Sequence, residues 1–128
     1  MTRTAITTSG APLPIGPYSP AIASGDLLFC SGQTPLDPRT GELVGGTIGD
    51  RTARCLENLT AVCAAAGAQL SDAVRCGIYV TDLATFAEVN AAYAAFFPAD
   101  PPARTTIGVA ELPVGADVEI DAIVALAD

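Results

Sequence analysis

The chain has 128 residues, half of them hydrophobic, and it carries six arginines, 14 carboxylates, no lysine and no histidine. The net charge of −8 opposes a nucleic-acid partner, which requires clustered positive charge. Without lysine no internal Schiff base can form, and without histidine there is no Ser-His or Cys-His nucleophile pair. Any catalysis must therefore use carboxylates, arginine, tyrosine, hydroxyls, a thiol or backbone groups.

The length fits one domain over residues 1–128 with a core of its own. No apolar run is long enough to cross a bilayer, and the first residues lack the apolar stretch of a signal peptide, so we expect a cytoplasmic protein with no membrane partner. The cysteines are widely spaced without a CxxC motif, which predicts buried free thiols. They are Cys30, Cys55, Cys63 and Cys76. No thiol metal site is expected, because no histidine is present to complete a zinc set.

The chain begins with a predicted strand and a stiff loop. Weak alternation over Arg3–Thr8 indicates the strand. Repeated glycine and proline over Ser9–Pro20 indicate the loop, which is rigid because proline fixes φ. Tyr18 lies inside this loop. It is either a packing residue or a ligand contact held by a stiff support.

A β-hairpin is predicted next. Two apolar runs, Ala21–Ser24 and Leu27–Ser31, flank Gly25-Asp26, which is a turn signal. The second run ends in Ser31 and Gly32, and a glycine at this place permits close approach of another part of the chain.

The first helix is predicted over Asp50–Ala66, followed by Gly67 as its C-terminal glycine. Apolar side chains recur at intervals of three and four and form one stripe. The stripe consists of Leu56, Leu59, Val62, Cys63 and Ala66, while Arg51, Arg54, Glu57 and Asn58 are predicted to cover the outside.

A strand over Ala73–Thr81 and a second helix over Leu83–Phe97 follow, with Asp82 as the helix N-cap. The apolar stripe of this helix is expected to face the core. Its members are Leu83, Phe86, Val89, Tyr93 and Phe97. Asn90 lies off the stripe and is either a cleft residue or a solvated one.

Two short strands, Pro101–Val109 and Asp117–Asp121, end the chain. If they pair through a turn at residues 111–116, alternation places Arg104 and Glu119 side by side on a face away from the core. The pair is then either an ordinary cross-strand salt bridge or part of a functional site.

This order of elements predicts an α+β fold, with one mostly antiparallel sheet and two helices packed on one face. The opposite face is expected to carry Arg104, Thr106 and Glu119 among small and apolar groups. A partly apolar second face in so short a chain indicates contact with another subunit.

Several separate motifs resemble those of the RidA/YjgF family in order and spacing, over nearly the whole chain. They are Ile15-Gly16-Pro17-Tyr18-Ser19, Ser31-Gly32-Gln33-Thr34-Pro35, Thr40-Gly41-Glu42, Val89-Asn90-Ala91-Ala92-Tyr93 with Phe97-Pro98, Pro102-Ala103-Arg104 and Val118-Glu119-Ile120. The resemblance implies a chorismate-mutase-like fold and a homotrimer with three clefts between subunits. It also implies a cofactor-independent enamine/imine deaminase, which hydrolyses 2-imino acids such as 2-iminopropionate or 2-iminobutyrate to 2-oxo acids and ammonia.

The resemblance assigns roles to individual residues. Arg104 matches the arginine that binds the substrate carboxylate, and Glu119 matches the glutamate near the attacking water. The remaining matched positions line the cleft; they are Tyr18, Ser31, Gly32 and Asn90. Thr106 stands where archetypal members have a cysteine, so only its backbone carbonyl is retained as a group that orients water or ammonia.

The chemistry of these residue types agrees with the implied reaction. An arginine offers a planar two-pronged donor for a carboxylate, and a carboxylate suffices as a base for attacking water, so no metal or cofactor is required. Two other functions stay open. One is a non-catalytic module in which the same cleft binds a small carboxylate as a regulatory ligand. The other is an endoribonuclease or translation inhibitor, an activity of some relatives that the acidic charge disfavours.

Overall fold

Residues 2–127 are described by a computed structural model, and in this range six strands and two α-helices form the fold. The strands are β1 (Arg3–Ile6), β2 (Ala21–Ser24), β3 (Leu27–Gln33), β4 (Ala73–Val80), β5 (Ala103–Gly108) and β6 (Val118–Ala125). The helices are α1 (Ile48–Ala65) and α2 (Phe86–Ala94), and short 3₁₀ turns occupy Leu70–Asp72, Leu83–Thr85 and Pro113–Gly115.

All six strands belong to one sheet in the order β1-β2-β3-β6-β4-β5. Neighbours are antiparallel except β4 and β5, which are parallel. The predicted α+β class, with a mostly antiparallel sheet and two helices on one face, is confirmed. The expected pairing of the last two strands is wrong, because β4 lies between β5 and β6. The reason is the connection through α2, since a helical crossover joins parallel strands and places β5 at the edge.

Alternation along β6 divides the sheet into two faces. Every second side chain of this strand, from Val118 to Val124, is buried in the core beneath the helices. The side chains between them, which include Glu119 and Asp121, are only partly buried on the opposite face, which we name the open face. Two large apolar side chains remain uncovered there, Phe29 with 43% and Ile107 with 44% of their surface exposed.

Helix α1 confirms the predicted amphipathic helix but begins earlier than expected. Thr47 is its N-cap and forms a capping box with Asp50, so that each side chain accepts a hydrogen bond from the backbone N–H of the other residue. The assignment of Asn58 to the outer face is wrong. Its side chain is fully buried because its amide donates to the backbone carbonyls of Thr34 and Leu36, which ties the loop after β3 to the helix.

The second helix is shorter than predicted. The predicted range opens with the 3₁₀ turn at Leu83–Thr85, where Asp82 accepts a hydrogen bond from the Ala84 amide, and continues as α2. The C-terminal part of the predicted stripe is buried, but Leu83 and Phe86 are exposed. These two residues flank the edge strand β5, where the sheet offers no further surface to cover them.

The cysteine prediction is confirmed, since all four thiols are free and buried. Burial raises the pKa of the Cys55 thiol, which keeps it protonated and unreactive. Between residues 2 and 127, neither helix combines the length and the apolarity that crossing a membrane requires. The cytoplasmic location stays a prediction.

Candidate functional site

A cavity of about 290 Å³ lies beside Glu119 on the open face. It is lined by Ile15, Tyr18, Ser31, Gly32, Thr34, Pro113 and Glu119. Four of the site residues predicted from the sequence thus line the same cavity. They are Tyr18, Ser31, Gly32 and Glu119, and we name them the Glu119 group. Three further lining residues, Ile15, Thr34 and Pro113, were not nominated, although Ile15 and Thr34 belong to the motifs that contain Tyr18 and Ser31.

The proline-rich loop is fixed to the sheet next to the cavity. The Ser31 hydroxyl donates to the Ser19 carbonyl at 2.7 Å, and the Ser31 amide donates to the Pro20 carbonyl at 3.0 Å. Tyr18 closes a tight turn by donating its amide to the Gly16 carbonyl at 2.9 Å. Ser31 therefore holds the loop in place, and Tyr18 presents a partly exposed ring at the mouth of the cavity.

Gly32 lies directly under the Glu119 carboxylate. A β-bulge separates the pairs Cys30–Ala122 and Gln33–Ile120, so that two residues of β3 face one residue of β6. A Cβ atom on Gly32 would overlap Oε2 of Glu119. Glycine is required here because the carboxylate rests against the bare backbone, which agrees with the close approach expected from the sequence.

Glu119 differs from the acidic residues two positions before and after it, because it has no hydrogen bond or ion pair within residues 2–127. Asp117 is bound by Arg51 at 2.8 Å, and Asp121 accepts hydrogen bonds from Gly77 and Tyr79. Burial raises the pKa of Glu119, and the charge of Asp121 raises it further. An unpaired carboxylate of this kind in a cavity is suited to exchange protons with a bound molecule.

Arg104 occupies the other face of the sheet. Its strand position continues the row of Cys30, Ala122 and Cys76, all of which are buried beneath the helices. The expectation that Arg104 and Glu119 lie side by side within one chain is therefore wrong. The physical reason is β4, which separates their strands and sets the alternation of β5.

The Arg104 guanidinium is held by α2. Its Nη2 donates to Oδ1 of Asn90 at 2.8 Å, and its carbon lies 4.9 Å from the ring centre of Tyr93 and 5.7 Å from that of Phe86. Asn90 is partly buried and thus contacts the Arg104 guanidinium. Most of the five N–H donors of the guanidinium remain available for a ligand, because the bond to Asn90 is its one side-chain hydrogen bond within the described chain.

Thr106 lies on the same face as Arg104, opposite Ile78 of β4. This corrects the expectation that Thr106 belongs to the uncovered face. Its Oγ1 atom is buried and has no hydrogen-bond partner within residues 2–127. We name Asn90, Arg104 and Thr106 the Arg104 group. The nominated residues therefore form two groups on opposite faces of one chain.

The described residues contain no cluster of three or more histidine, cysteine or acidic side chains that could hold a metal ion. The polar side chains at the cavity are the Glu119 carboxylate, the Tyr18 phenol and the hydroxyls of Ser31 and Thr34, of which that of Ser31 is already engaged with the loop. This arrangement can bind a small polar molecule and exchange a proton with it.

Comparison with known proteins gives consistent matches over nearly the whole chain. A family model described as Endoribonuclease L-PSP matches residues 8–126. Protein DfrA of Myxococcus xanthus is 50% identical over 125 residues, which cover 96% of this chain and 95% of that protein. A 2-iminobutanoate/2-iminopropanoate deaminase of Dermatophagoides farinae is 43% identical over 121 residues, 94% of each protein.

Among solved structures, the crystal structure of RidA from the Antarctic bacterium Psychrobacter sp. PAMC 21119 superposes with a TM-score of 0.93 at 38% identity. The match covers 96% of this chain and 99% of that chain. Other relatives carry only the general name RutC family protein, so the family includes members whose names state no reaction.

Proposed function

The chain belongs to the RidA/YjgF family, whose family model is described as Endoribonuclease L-PSP, and on that premise we propose that it is a cofactor-independent 2-imino acid deaminase. Its substrates are reactive 2-imino acids or their enamine forms, with small side chains as in 2-iminopropionate and 2-iminobutyrate. Water replaces the imine nitrogen, and the products are a 2-oxo acid and ammonia. A relative with 43% identity carries the name of this activity.

The observation that carries the proposal is the Glu119 carboxylate in its cavity, which no residue between 2 and 127 pairs with. Glu119 takes a proton from water as the water oxygen bonds to the imine carbon, and the C=N double bond becomes a single bond. Glu119 then returns this proton to the nitrogen, which gives a carbinolamine. In the second step Glu119 takes the proton of the carbinolamine hydroxyl and passes it to the nitrogen, so that the C–N bond breaks, the carbonyl forms and ammonia leaves with both protons of the water. General acid–base catalysis of this kind contributes about 10²–10⁴-fold, which is adequate for a reaction that already proceeds in water.

Arg104 is the proposed anchor for the substrate carboxylate. A guanidinium already oriented by Asn90 and two aromatic rings loses little freedom when it binds a planar anion in a two-pronged contact. The apolar walls provided by Ile15 and Pro113 suit a short aliphatic side chain better than a charged one.

The two groups can act on one substrate only if they come from different subunits. We therefore propose that the protein is a homotrimer in which the Arg104 group of one subunit meets the Glu119 group of the next. The uncovered apolar side chains of the open face, Phe29 and Ile107, support an interface with another copy.

The family description as an endoribonuclease raises a second function, which the charge of this chain opposes. Six arginines against 14 carboxylates, with no lysine and no histidine, leave little positive surface for a phosphate backbone. A non-catalytic module that binds small carboxylates would need Arg104 but not a second, unpaired carboxylate, because Glu119 repels an anion.

The deciding experiment generates 2-iminopropionate with an amino-acid oxidase and times its loss with and without the protein. Wild type should hydrolyse the imine faster than water alone, and Glu119→Gln should lower turnover by about 10²–10⁴-fold because the base is removed. Pyruvate should still bind to Glu119→Gln. Glu111→Gln, an exposed carboxylate outside the cavity, is the matched control and should behave as wild type.

Arg104→Ala should abolish pyruvate binding, since each charge-assisted hydrogen bond contributes roughly 1.5–3 kcal/mol. Arg104→Lys should restore it only in part, because an ammonium does not reproduce the planar fork. Arg39→Ala, at a side chain that is 87% exposed, is the control. Pyruvate binding by wild type without any acceleration of imine loss would identify a binding module and overturn the enzymatic proposal.

A further inference from the structure

Two carboxylates stand next to each other on the open face but are held in different ways. Glu119 and Asp121 are two residues apart on β6 and point to the same side of the sheet. Asp121 accepts a hydrogen bond from the Gly77 amide at 2.9 Å and one from the Tyr79 hydroxyl at 2.8 Å. Tyr79 lies directly opposite Glu119 in the β4–β6 register, so the group that fixes Asp121 also borders Glu119.

A glycine supports each of these carboxylates. A Cβ atom on Gly77 would collide with Oδ1 of Asp121 and with the Tyr79 hydroxyl, just as one on Gly32 would collide with Glu119. Asp121 therefore lies against β4 on one side of β6, and Glu119 lies against β3 on the other. Asp121 is anchored by two donors, whereas Glu119 at the cavity has no hydrogen-bond partner in the part of the chain that the structure describes.

We propose that Asp121 is a positioning residue for Glu119, an anchored negative charge that favours the protonated form of Glu119 and so helps it to take a proton from the attacking water. This inference rests on the proposed deaminase function. An acid–base group must both accept and release a proton in each cycle, and an isolated carboxylate is a weak acceptor near neutral pH.

Few other charges face Glu119 in the described chain. Directly before β6, Asp117 is neutralised by Arg51, whose guanidinium makes a two-pronged contact with it. On β5, the residue in the Glu119 row is Ile107, and on β3 it is Gly32. The proline-rich loop contributes the phenol of Tyr18 at the cavity.

The groups of β4 hold Asp121 in place and neutralise its charge only in part. Arg75 comes no closer to Asp121 than 3.9 Å and is partly exposed, so solvent screens its charge. The hydrogen bond to Asp121 is the main cause that raises the pKa of Tyr79, which keeps the phenol a proton donor that holds the aspartate in place. Burial raises the pKa of Glu119, and Asp121 is the charged group that adds to it.

The test follows the titration of Glu119 by NMR in protein labelled with ¹³C at the glutamate carboxyl carbon. The chain has only five glutamates, and the resonance that disappears in Glu119→Gln identifies the residue. We expect Glu119 to titrate above the ordinary pKa range of a glutamate. In Asp121→Asn its midpoint should move to lower pH, because the neighbouring negative charge is gone. Asp72→Asn removes the same charge at an exposed position and should leave the midpoint unchanged.

The second arm measures the rate of imine hydrolysis against pH for the same variants. The acid limb, the range of low pH in which the rate falls, should move to lower pH in Asp121→Asn and stay in place in Asp72→Asn. A purely structural role for Asp121 would instead lower the melting temperature and reduce the rate equally at every pH.

The NMR titration and the pH–rate profile together distinguish a failure of this inference from a failure of the proposed function. Equal NMR midpoints in wild type and Asp121→Asn would overturn the inference even if the enzyme is active. A shifted midpoint with an unmoved acid limb would show that Asp121 acts on Glu119 but not on the reaction, which also overturns it. An absence of hydrolysis by wild type would overturn the proposed function, and the NMR midpoint alone would then decide whether Asp121 governs the protonation of Glu119.

Discussion

The Glu119 group and the Arg104 group differ in how their charged side chains are held. Arg104 is oriented before any ligand arrives, by a hydrogen bond to Asn90 and by the rings of Tyr93 and Phe86. Among residues 2–127 Glu119 has no such partner, and it rests on the bare backbone of Gly32. Preorganisation suits a group that binds an unchanging carboxylate, whereas a group that moves protons is better left unpaired. The two faces of the sheet thus carry different parts of the proposed chemistry.

The largest expected effect concerns the separation of the two groups between subunits. Glu119→Gln and Arg104→Ala should each be nearly inactive alone. If both are co-expressed in equal amounts and mix freely in a homotrimer, one interface in four on average combines an intact Arg104 with an intact Glu119. Activity should then return to about a quarter of the wild-type value per site.

Light scattering supplies the control for this experiment, since it must show a trimer for the wild type and for the mixture. Each variant mixed with a tagged copy of itself should stay inactive. A mixture that remains inactive although hybrid trimers are isolated would mean that both groups must come from the same subunit. A monomer mass at micromolar concentration would remove the proposed interface altogether.

Much of the fold follows from local patterns in the chain. The hairpin at Gly25-Asp26, the capped helix α1 and the alternation of β6 are each determined by residues close in sequence. The neighbours of β5 are not determined in this way, because strand order depends on where α2 packs. Since the faces of β5 depend on its partner, the side of the sheet that Arg104 occupies could not be read from its own strand.

The candidate site is likewise determined partly by local sequence patterns and partly by residues that are distant in sequence. The motifs nominated Tyr18, Ser31, Gly32 and Glu119, and the cavity brings these residues together. Asp121 follows Glu119 on the same face of β6, which the alternation of the strand predicts. Its proposed role depends on hydrogen bonds from Gly77 and Tyr79, which lie 42–44 positions earlier in the chain. The burial of Asn58 depends in the same way on carbonyls of a distant loop.

A smaller effect is expected from Gly32→Ala, which tests the support under Glu119. The added methyl group would displace the end of the Glu119 side chain, and misplacement of a reacting group by about 1 Å can lower a rate on the order of 10²-fold. The fold should be retained, because a flexible side chain can rotate away. Imine turnover and thermal melting measure the two effects separately.

The matched control is Gly45→Ala, where an added Cβ atom meets nothing within 4 Å and the backbone does not require a positive φ. It should leave both turnover and melting unchanged. Wild-type turnover in Gly32→Ala would show that the position of Glu119 is not critical. It would contradict the proposed difference between a preoriented Arg104 and a Glu119 whose position depends on the backbone of Gly32.

The smallest effect tests whether the Arg104 group also carries an unused donor. The buried Thr106 hydroxyl has no partner within residues 2–127, and a buried polar group without a partner costs about 1–3 kcal/mol. Thr106→Val has nearly the same shape without the hydroxyl, so the ligand-free protein should be more stable by about 1 kcal/mol.

Thr52→Val is the matched control, because the buried Thr52 hydroxyl donates to the Ile48 carbonyl at 2.7 Å and its loss should reduce stability by about 0.5–1.5 kcal/mol. If Thr106 serves the ligand, its replacement should also weaken pyruvate binding while stability rises. Denaturant unfolding and pyruvate titration measure both quantities, and a loss of stability in Thr106→Val would show that the hydroxyl already has a partner in the assembled protein.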